Sequence, residues 1–197
     1  MIVITNPIPI ENEIDLIHSL FAEGLDLLHV RKPDYSEEEL KRFLSELGFR
    51  SQLVLHQHHQ LAEEFGINRI HFREKDRVKI SESPARFQKP CRYIKSTSVH
   101  SMEDFDALSD VFEYAFLSPV FRSISKENYK PTVDYRIELQ KRANHKTKLI
   151  ALGGLQSENI GQALGFGFDG IALLGTIWNS SKPIENYRLC QQIAHTY

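Results

Sequence analysis

The chain has little cysteine, a single tryptophan, no long apolar run and no surplus of charge of either sign. Of its 197 residues, two are cysteines, Cys91 and Cys190. They have no metal-binding spacing and need not meet, so a reducing cytoplasm is the expected compartment. No apolar run approaches the roughly 20 residues of a membrane span. The start, Met1-Ile2-Val3-Ile4-Thr5, lacks a basic region and a small-residue cleavage site, which argues against a signal peptide. Lys and Arg number 24 against 26 Asp and Glu, a net charge of -2, with both signs interspersed. Nothing there favours nucleic acid or an anionic membrane as a partner. There is no internal repeat, linker or low-complexity tract. What remains is one domain, 1–197, large enough to bury roughly 70% of its unfolded surface.

The last quarter of the chain is the most informative. The apolar run Leu149-Ile150-Ala151-Leu152 ends in Gly153-Gly154. A second run, Ile171-Ala172-Leu173-Leu174, ends in Gly175-Thr176, and a helix-like segment from Ser157 to Leu164 lies between them. Each run is too short for a helix and branched enough for a buried strand. Two parallel strands ending in glycine set bare backbone N–H groups side by side. In a (β/α)8 barrel that is the phosphate site after strands 7 and 8. Glycine lets a phosphate approach those amides closely. The expectation is a barrel enzyme acting on a phosphorylated small molecule.

Eight strand candidates alternate with helix-like segments: Ile2–Thr5, Leu27–Arg31, Gln52–His56, Arg69–Phe72, Tyr93–Lys95, Tyr114–Leu117, Lys148–Leu152 and Gly170–Leu173. Alternation implies a parallel α/β sheet. A doubly wound open sheet would use the same elements, but the paired glycine ends favour a closed (β/α)8 TIM barrel. At 197 residues against the usual ~250, some helices should be trimmed. Ser36-Glu37-Glu38-Glu39 is a capping box, and Ser101 and Ser157 open further helices. The weakest helix lies between Asp76 and Pro90, where a short or irregular connection is expected. The longest break, Ser118 to Thr132, follows strand 6 and has the character of a functional loop.

Strand ends are where barrel chemistry sits. Strand 2 ends in His29-Val30-Arg31-Lys32, and alternation puts His29 and Arg31 on one face. Arg31 offers a fork for phosphate oxygens. Strand 3 ends in His56-Gln57-His58-His59, and strand 4 carries His71. Imidazoles are common metal ligands, but no HExxH or paired-cysteine pattern is present, and polar lining of the mouth is the simpler reading. His71 also fits a hydrogen-bonded core histidine. Strand 5 runs into Ser96-Thr97-Ser98-Val99-His100-Ser101, which supplies hydroxyls for phosphate, an imidazole for proton transfer, or helix caps. Asp76 has two readings, a Mg²⁺ ligand beside a diphosphate or a cap. Trp178 reads as packing.

These pieces, in this order, resemble the thiamine phosphate synthase/TenI superfamily over essentially the whole chain. The matching signatures are Leu28-His29-Val30-Arg31-Lys32, Ile70-His71-Phe72 with Asp76, Ser98-Val99-His100-Ser101, Ser118-Pro119-Val120-Phe121 followed by Ser123-Ile124-Ser125-Lys126, Ala151-Leu152-Gly153-Gly154, and Gly167-Phe168-Asp169-Gly170-Ile171-Ala172. The resemblance implies condensation of hydroxymethylpyrimidine diphosphate with a thiazole phosphate, releasing diphosphate. The tautomerase branch instead isomerises a thiazole carboxylate phosphate on the same fold. A non-catalytic binder of phosphorylated thiazole is the reading from a different class, and oligomeric assembly is open.

Under the synthase resemblance, Gly153, Gly154, Gly175 and Thr176 hold the thiazole phosphate. Arg31, Ser98 and Lys126 hold the diphosphate, Ser123 and Ser125 supply loop hydroxyls, and Asp76 matches one Mg²⁺ carboxylate. There are departures. The family's Asn-Asp pair after strand 3 is His56-Gln57 here, so one Mg²⁺ carboxylate is missing and weak Mg²⁺ binding is expected. His29 replaces a glutamine. The second family lysine is displaced, with Lys32 one residue early and Pro33 in its place. Ser-Val-His-Ser at 98–101 looks like the tautomerase motif, whose histidine, His100 here, acts on the proton.

Overall fold

The computed structural model describes residues 1–77, 93–122 and 133–197. Eight parallel strands pair in sequence order and close into a barrel: β1 (Ile2–Ile4), β2 (Leu27–Val30), β3 (Leu53–Leu55), β4 (Arg69–Phe72), β5 (Ile94–Val99), β6 (Tyr114–Leu117), β7 (Lys148–Leu152) and β8 (Gly170–Leu173). Closure is made where β1 pairs with β8, Ile2 opposite Ala172 and Val3 opposite Leu173. The open-sheet alternative is thereby excluded. The outer helices are α1 (Glu13–Ala22), α2 (Glu37–Leu47), α3 (Leu61–Glu64), α4 (Met102–Asp106), α5 (Tyr135–Glu138), α6 (Ser157–Phe166), α7 (Gly175–Trp178) and α8 (Pro183–Ala194). Several are a single turn, which accounts for the short chain. Among the described residues no helix is long and apolar enough to cross a membrane.

Local chemistry explains the helix ends. Ser36 Oγ accepts from the Glu39 amide while Glu39 Oε2 accepts from the Ser36 amide, so two orphan donors are satisfied reciprocally. From there Leu40, Phe43, Leu44 and Leu47 recur at helical spacing and are buried. Ser101 caps α4 by accepting from the Asp104 amide at 3.0 Å. α6 starts as expected within one residue, with Gln156 rather than Ser157 at the cap position. The one substantial boundary difference is β5. It runs on to Val99 because Ser96, Thr97 and Ser98 pair in register with Tyr114, Ala115 and Phe116 of β6. These hydroxyl residues therefore belong to the strand and not to a loop. Most of the weak helix expected between Asp76 and Pro90 lies outside the described residues, as does Cys91.

The core has two parts. Outward-facing strand residues such as Leu28, Leu55, Ala115 and Leu149 pack beneath the helices. Inside the barrel, Ile2, Ile4, Tyr114, Phe116, Ile150 and Ala172 form a second cluster from β1 and β6–β8. Inward positions on β2–β5 mix apolar residues, Leu27 and Val54, with polar ones, of which His29, His71 and Ser96 are buried. The barrel interior is thus apolar on one side and hydrogen-bonding on the other.

Just past β2, Lys32 turns outward from the barrel. It is fully buried, with Nζ 2.5 Å from Glu13 Oε2 at the start of α1 and 5.1 Å from the Phe43 ring centre. Burial raises the Glu13 carboxyl and lowers the Lys32 ammonium from their usual values, against their mutual attraction. Removing one partner strands a buried charge. Lys32→Met is expected to cost about 3–5 kcal/mol by urea unfolding, with most recovered in the Lys32→Met/Glu13→Gln double variant. A loss under about 1 kcal/mol would show that the pair carries no such burden.

Candidate functional site

The C-terminal ends of the strands surround one cavity of about 630 Å³. On its β7–β8 side lie Gly153, Gly154, Gly175 and Thr176. The N–H groups of Gly153, Gly154, Gly175 and Thr176 have no partner among the described residues, whereas the Ile177 and Trp178 amides already donate to the Leu174 carbonyl. Thr176 Oγ1 donates to the Leu155 carbonyl, so its hydroxyl ties the two strand ends together. Gly154 has φ +68, and a Cβ there would come within 2.3 Å of the Arg122 carbonyl oxygen. Glycine is therefore demanded first by the 121–122 backbone packed against it, and only second by the approach of a ligand. That segment is held down by the Val120 amide on the Leu152 carbonyl and the Phe121 amide on the Gly153 carbonyl, both at 3.0 Å. Trp178 Nε1 donates to the Ile4 carbonyl at 2.6 Å, a packing role.

The opposite side of the cavity is cationic and imidazole-rich. Arg31, Arg73, Lys75, His56, His71, Ser98 and His100 line it, with Glu74 as the single carboxylate among the described lining. Arg31 is positioned by its backbone, whose amide donates to Thr5 Oγ1 at 2.9 Å while Thr5 Oγ1 donates to the Arg31 carbonyl. This leaves the guanidinium free to face the cavity. Arg73, Glu74 and Lys75 follow β4 directly. Sequence reasoning passed over them, although three charges at a barrel strand's C-terminal end were the available signal.

Three histidines form the floor. His29 Nδ1 lies 2.8 Å from His56 Nε2, and His29 Nε2 lies 2.8 Å from the Tyr114 hydroxyl. His71 contacts Ser96 Oγ at 2.9 Å and Ser98 Oγ at 3.0 Å. The His56 and His71 rings stack with centres 4.1 Å apart. His58 and His59 lie in the turn beyond, with Nε2 on the Tyr35 and His71 carbonyls respectively. Strand alternation foretold that His29 and Arg31 share a face. Bringing His29, His56 and His71 together needed the inter-strand register, which a single sequence does not carry.

Of the remaining sequence-derived site residues, His100 has Nδ1 2.7 Å from the Ser118 carbonyl. Since a carbonyl only accepts, Nδ1 carries the hydrogen and Nε2 is the free nitrogen, 3.7 Å from Glu74 Oε2. The Gln57 side-chain amide donates to the Lys32 carbonyl. Asp76 Oδ2 accepts from Arg73 Nε at 2.6 Å and does not line the cavity. Ser123, Ser125 and Lys126 lie outside the described residues.

A closed eight-stranded barrel with amide-lined glycine ends on one side of its mouth and cations on the other defines a TIM-barrel protein. The family described as thiamine monophosphate synthase matches residues 1–177, and the chain belongs to that thiamine monophosphate synthase/TenI family. It is 28% identical to the thiamine phosphate pyrophosphorylase of Bacteroides thetaiotaomicron, with a TM-score of 0.78 over 99% of this chain and 97% of that one. A thiamine-phosphate synthase of Streptococcus suis is 26% identical over 139 residues, 70% of this chain and 59% of that protein. One of Koribacter versatilis is 27% identical over 164 residues, 80% of this chain and 76% of that protein. The 3-hexulose-6-phosphate synthase of Salmonella typhimurium, at 15% identity and TM-score 0.72 over 99% of this chain and 98% of that one, shares the fold.

The Mg²⁺ that the resemblance implies is a hard ion that takes oxygen ligands, carboxylates above all. The positions that would face it offer the Gln57 amide, turned to Lys32, and the Asp76 carboxylate, paired with Arg73. Glu74 lines the cavity but lies beside His100 and Arg77, so the carboxylates here are engaged by cations and imidazoles, a donor set that does not fit Mg²⁺.

Burial holds all three floor histidines below the ordinary range, reinforced by neighbouring imidazoles and arginines, and brings His71 to about 3. A depressed histidine is neutral in the folded state while its unfolded counterpart takes a proton below about 6.5. The unfolded state then binds more protons, so stability falls as pH drops below about 6.5, by up to ~1.4 kcal/mol per pH unit for each imidazole. For His71 the loss continues towards pH 3. Urea midpoints measured from pH 7.5 to 5 should show that decline, with a shallower slope in His71→Asn. A flat profile would mean that these rings protonate freely in the folded protein.

Proposed function

We propose that this barrel joins a phosphorylated thiazole to hydroxymethylpyrimidine diphosphate and releases diphosphate. The observation that carries the reading is a single cavity whose two sides are both suited to anions, the glycine ends of β7 and β8 and the rim of Arg31, Arg73 and Lys75. Two phosphorylated partners need two such faces, and a substrate with one phosphate needs one. The thiazole phosphate sits on the Gly153, Gly154, Gly175 and Thr176 backbone. The diphosphate sits on Arg31 and its neighbours with Ser98, and the resemblance adds Ser123, Ser125 and Lys126, which lie outside the described residues.

The bond between the pyrimidine methylene carbon and the diphosphate oxygen breaks, and its electron pair leaves with diphosphate. The thiazole nitrogen lone pair forms the new carbon–nitrogen bond, and no proton is gained or lost. The protein's work is to align the partners and to neutralise charge on the leaving group. In this chain guanidinium and ammonium groups carry that neutralisation. Phe116, Ile4 and Leu152 supply the apolar wall of the cavity.

A second reading, the thiazole tautomerase, is favoured by one observation: His100 presents an unbonded Nε2 beside Glu74, an arrangement suited to proton transfer. Assay of the protein with both substrate sets separates the two. As a synthase, Arg31→Ala should lower kcat about 10²–10³-fold, the scale for losing one preorganised charge-stabilising group. His100→Asn should cost less than ~10-fold, because no proton moves. As a tautomerase, His100→Asn should cost about 10²–10⁴-fold and remove a limb of the pH profile. Binding of thiazole phosphate without turnover of either set would overturn both in favour of a non-catalytic binder.

A further inference from the structure

We infer that His29, His56 and His71 form a binding site for a borderline divalent transition-metal ion, Zn²⁺ or a close substitute such as Co²⁺, at the floor of the cavity. One ring nitrogen from each of the three lies within 4.8 Å of the others. A metal at the usual ~2.0–2.1 Å from imidazole nitrogen draws three such atoms to about 3.3 Å in a tetrahedral arrangement. His29 Nδ1 and His56 Nε2 already stand 2.8 Å apart, so the change amounts to ring tilts on strands that stay where they are. A nitrogen–nitrogen contact of that length also requires a lone pair on at least one ring, the feature a metal would use.

The surroundings are those of oriented ligands. A metal-binding histidine is held by a hydrogen bond from its other nitrogen, which fixes the tautomer and the ring plane. His29 has that partner in the Tyr114 hydroxyl, on Nε2, leaving Nδ1 for the metal. His71 has it in Ser96 Oγ, on Nδ1, leaving Nε2. Tyr114 on β6 lies across the barrel from His29 on β2, so closure sets that ring plane, while Ser96 is the register partner of His71 on the neighbouring strand. His71 Nε2 would release Ser98 Oγ to the cavity.

Position gives the site a use. His56 and His71 line the cavity while His29 lies beneath them, so an ion on all three would keep its remaining coordination positions open towards the ligand space. Three protein ligands with an open position are the arrangement of catalytic rather than structural zinc sites. A water molecule or a phosphate oxygen of the bound substrate is the ligand chemistry that would complete it. Imidazole donors suit Zn²⁺ and Co²⁺ and do not suit Mg²⁺, which turns the poor fit to Mg²⁺ into a preference for another metal.

The inference stands on imidazole geometry and not on the identity of the substrates. It is tested without substrate, so its failure and the failure of the proposed reaction are separate results. Chelator-treated, dialysed protein is titrated with Zn²⁺ by competition against a chromophoric chelator, and with Co²⁺ by visible absorption. One equivalent of metal should bind, with the d–d bands of a low-coordinate Co²⁺ site that a large excess of Mg²⁺ does not erase. His56→Gln, at a half-buried cavity position, should weaken Zn²⁺ at least ~100-fold. Ser96→Ala, which removes only an orienting hydroxyl, should weaken it ~10–100-fold. His145→Gln, on the loop before β7 at the far end of the barrel, should bind as the wild type does. Absence of one-to-one binding to the folded wild type would overturn the site. So would Zn²⁺ affinity left unchanged by both His56→Gln and Ser96→Ala.

Discussion

The pairing of β1 with β8 is the constraint on which the rest of the molecule depends. Once eight parallel strands close, every second side chain on each strand is committed to the interior, and polar ones there must find partners among themselves. On β6, β7, β8 and β1 the inward positions are apolar and pack as an ordinary core. On β2 to β5 Leu27 and Val54 are joined by His29, His71, Ser96 and Ser98, and with His56 just past β3 these polar groups bond as His56–His29–Tyr114 and as Ser96–His71–Ser98. The mouth inherits this division. Backbone amides and an apolar wall face a bank of cations and imidazoles across one cavity.

By the resemblance, one half of the cavity keeps the family's residues and the other half departs from them. The glycine ends of β7 and β8 stand as the resemblance implies, supported by the Thr176 hydroxyl and the 118–122 segment. The altered half lies at the ends of β2, β3 and β4. There His29 and His56-Gln57 stand in place of the family's glutamine and Asn-Asp, and Arg73 and Lys75 bring positive charge to the rim. By the resemblance, one family carboxylate is missing after β3, in the region where imidazoles and cations gather, while the glycine ends are kept.

Much of the fold was legible in the sequence because parallel strands buried on both faces are short branched runs between turn signals. Leu149–Leu152 and Ile171–Leu173 are of this kind, as is the Ser36 capping box. β5 was harder. Ser96, Thr97 and Ser98 look like a polar loop, yet they extend the strand because inward hydroxyls meet His71 and outward Thr97 Oγ1 donates to the Phe72 carbonyl. For the site, alternation alone put His29 and Arg31 on one face and the glycines at strand ends. The three-histidine floor depends on the register between β2, β3 and β4, and the pairing of Lys32 with Glu13, 19 residues earlier, joins two elements that no local pattern connects. Both are long-range facts without a local signature.

In the proposed reaction the two faces of the cavity serve different anions, with the thiazole phosphate on the backbone of β7 and β8. A crystal structure with thiazole phosphate bound measures this directly. The account predicts the phosphate on the amides of Gly153 and Gly154 and the first turn of α7, with the heterocycle extended towards His56 and His71. A phosphate seated instead on Arg31 and Arg73, with the glycine ends left to solvent, would contradict it.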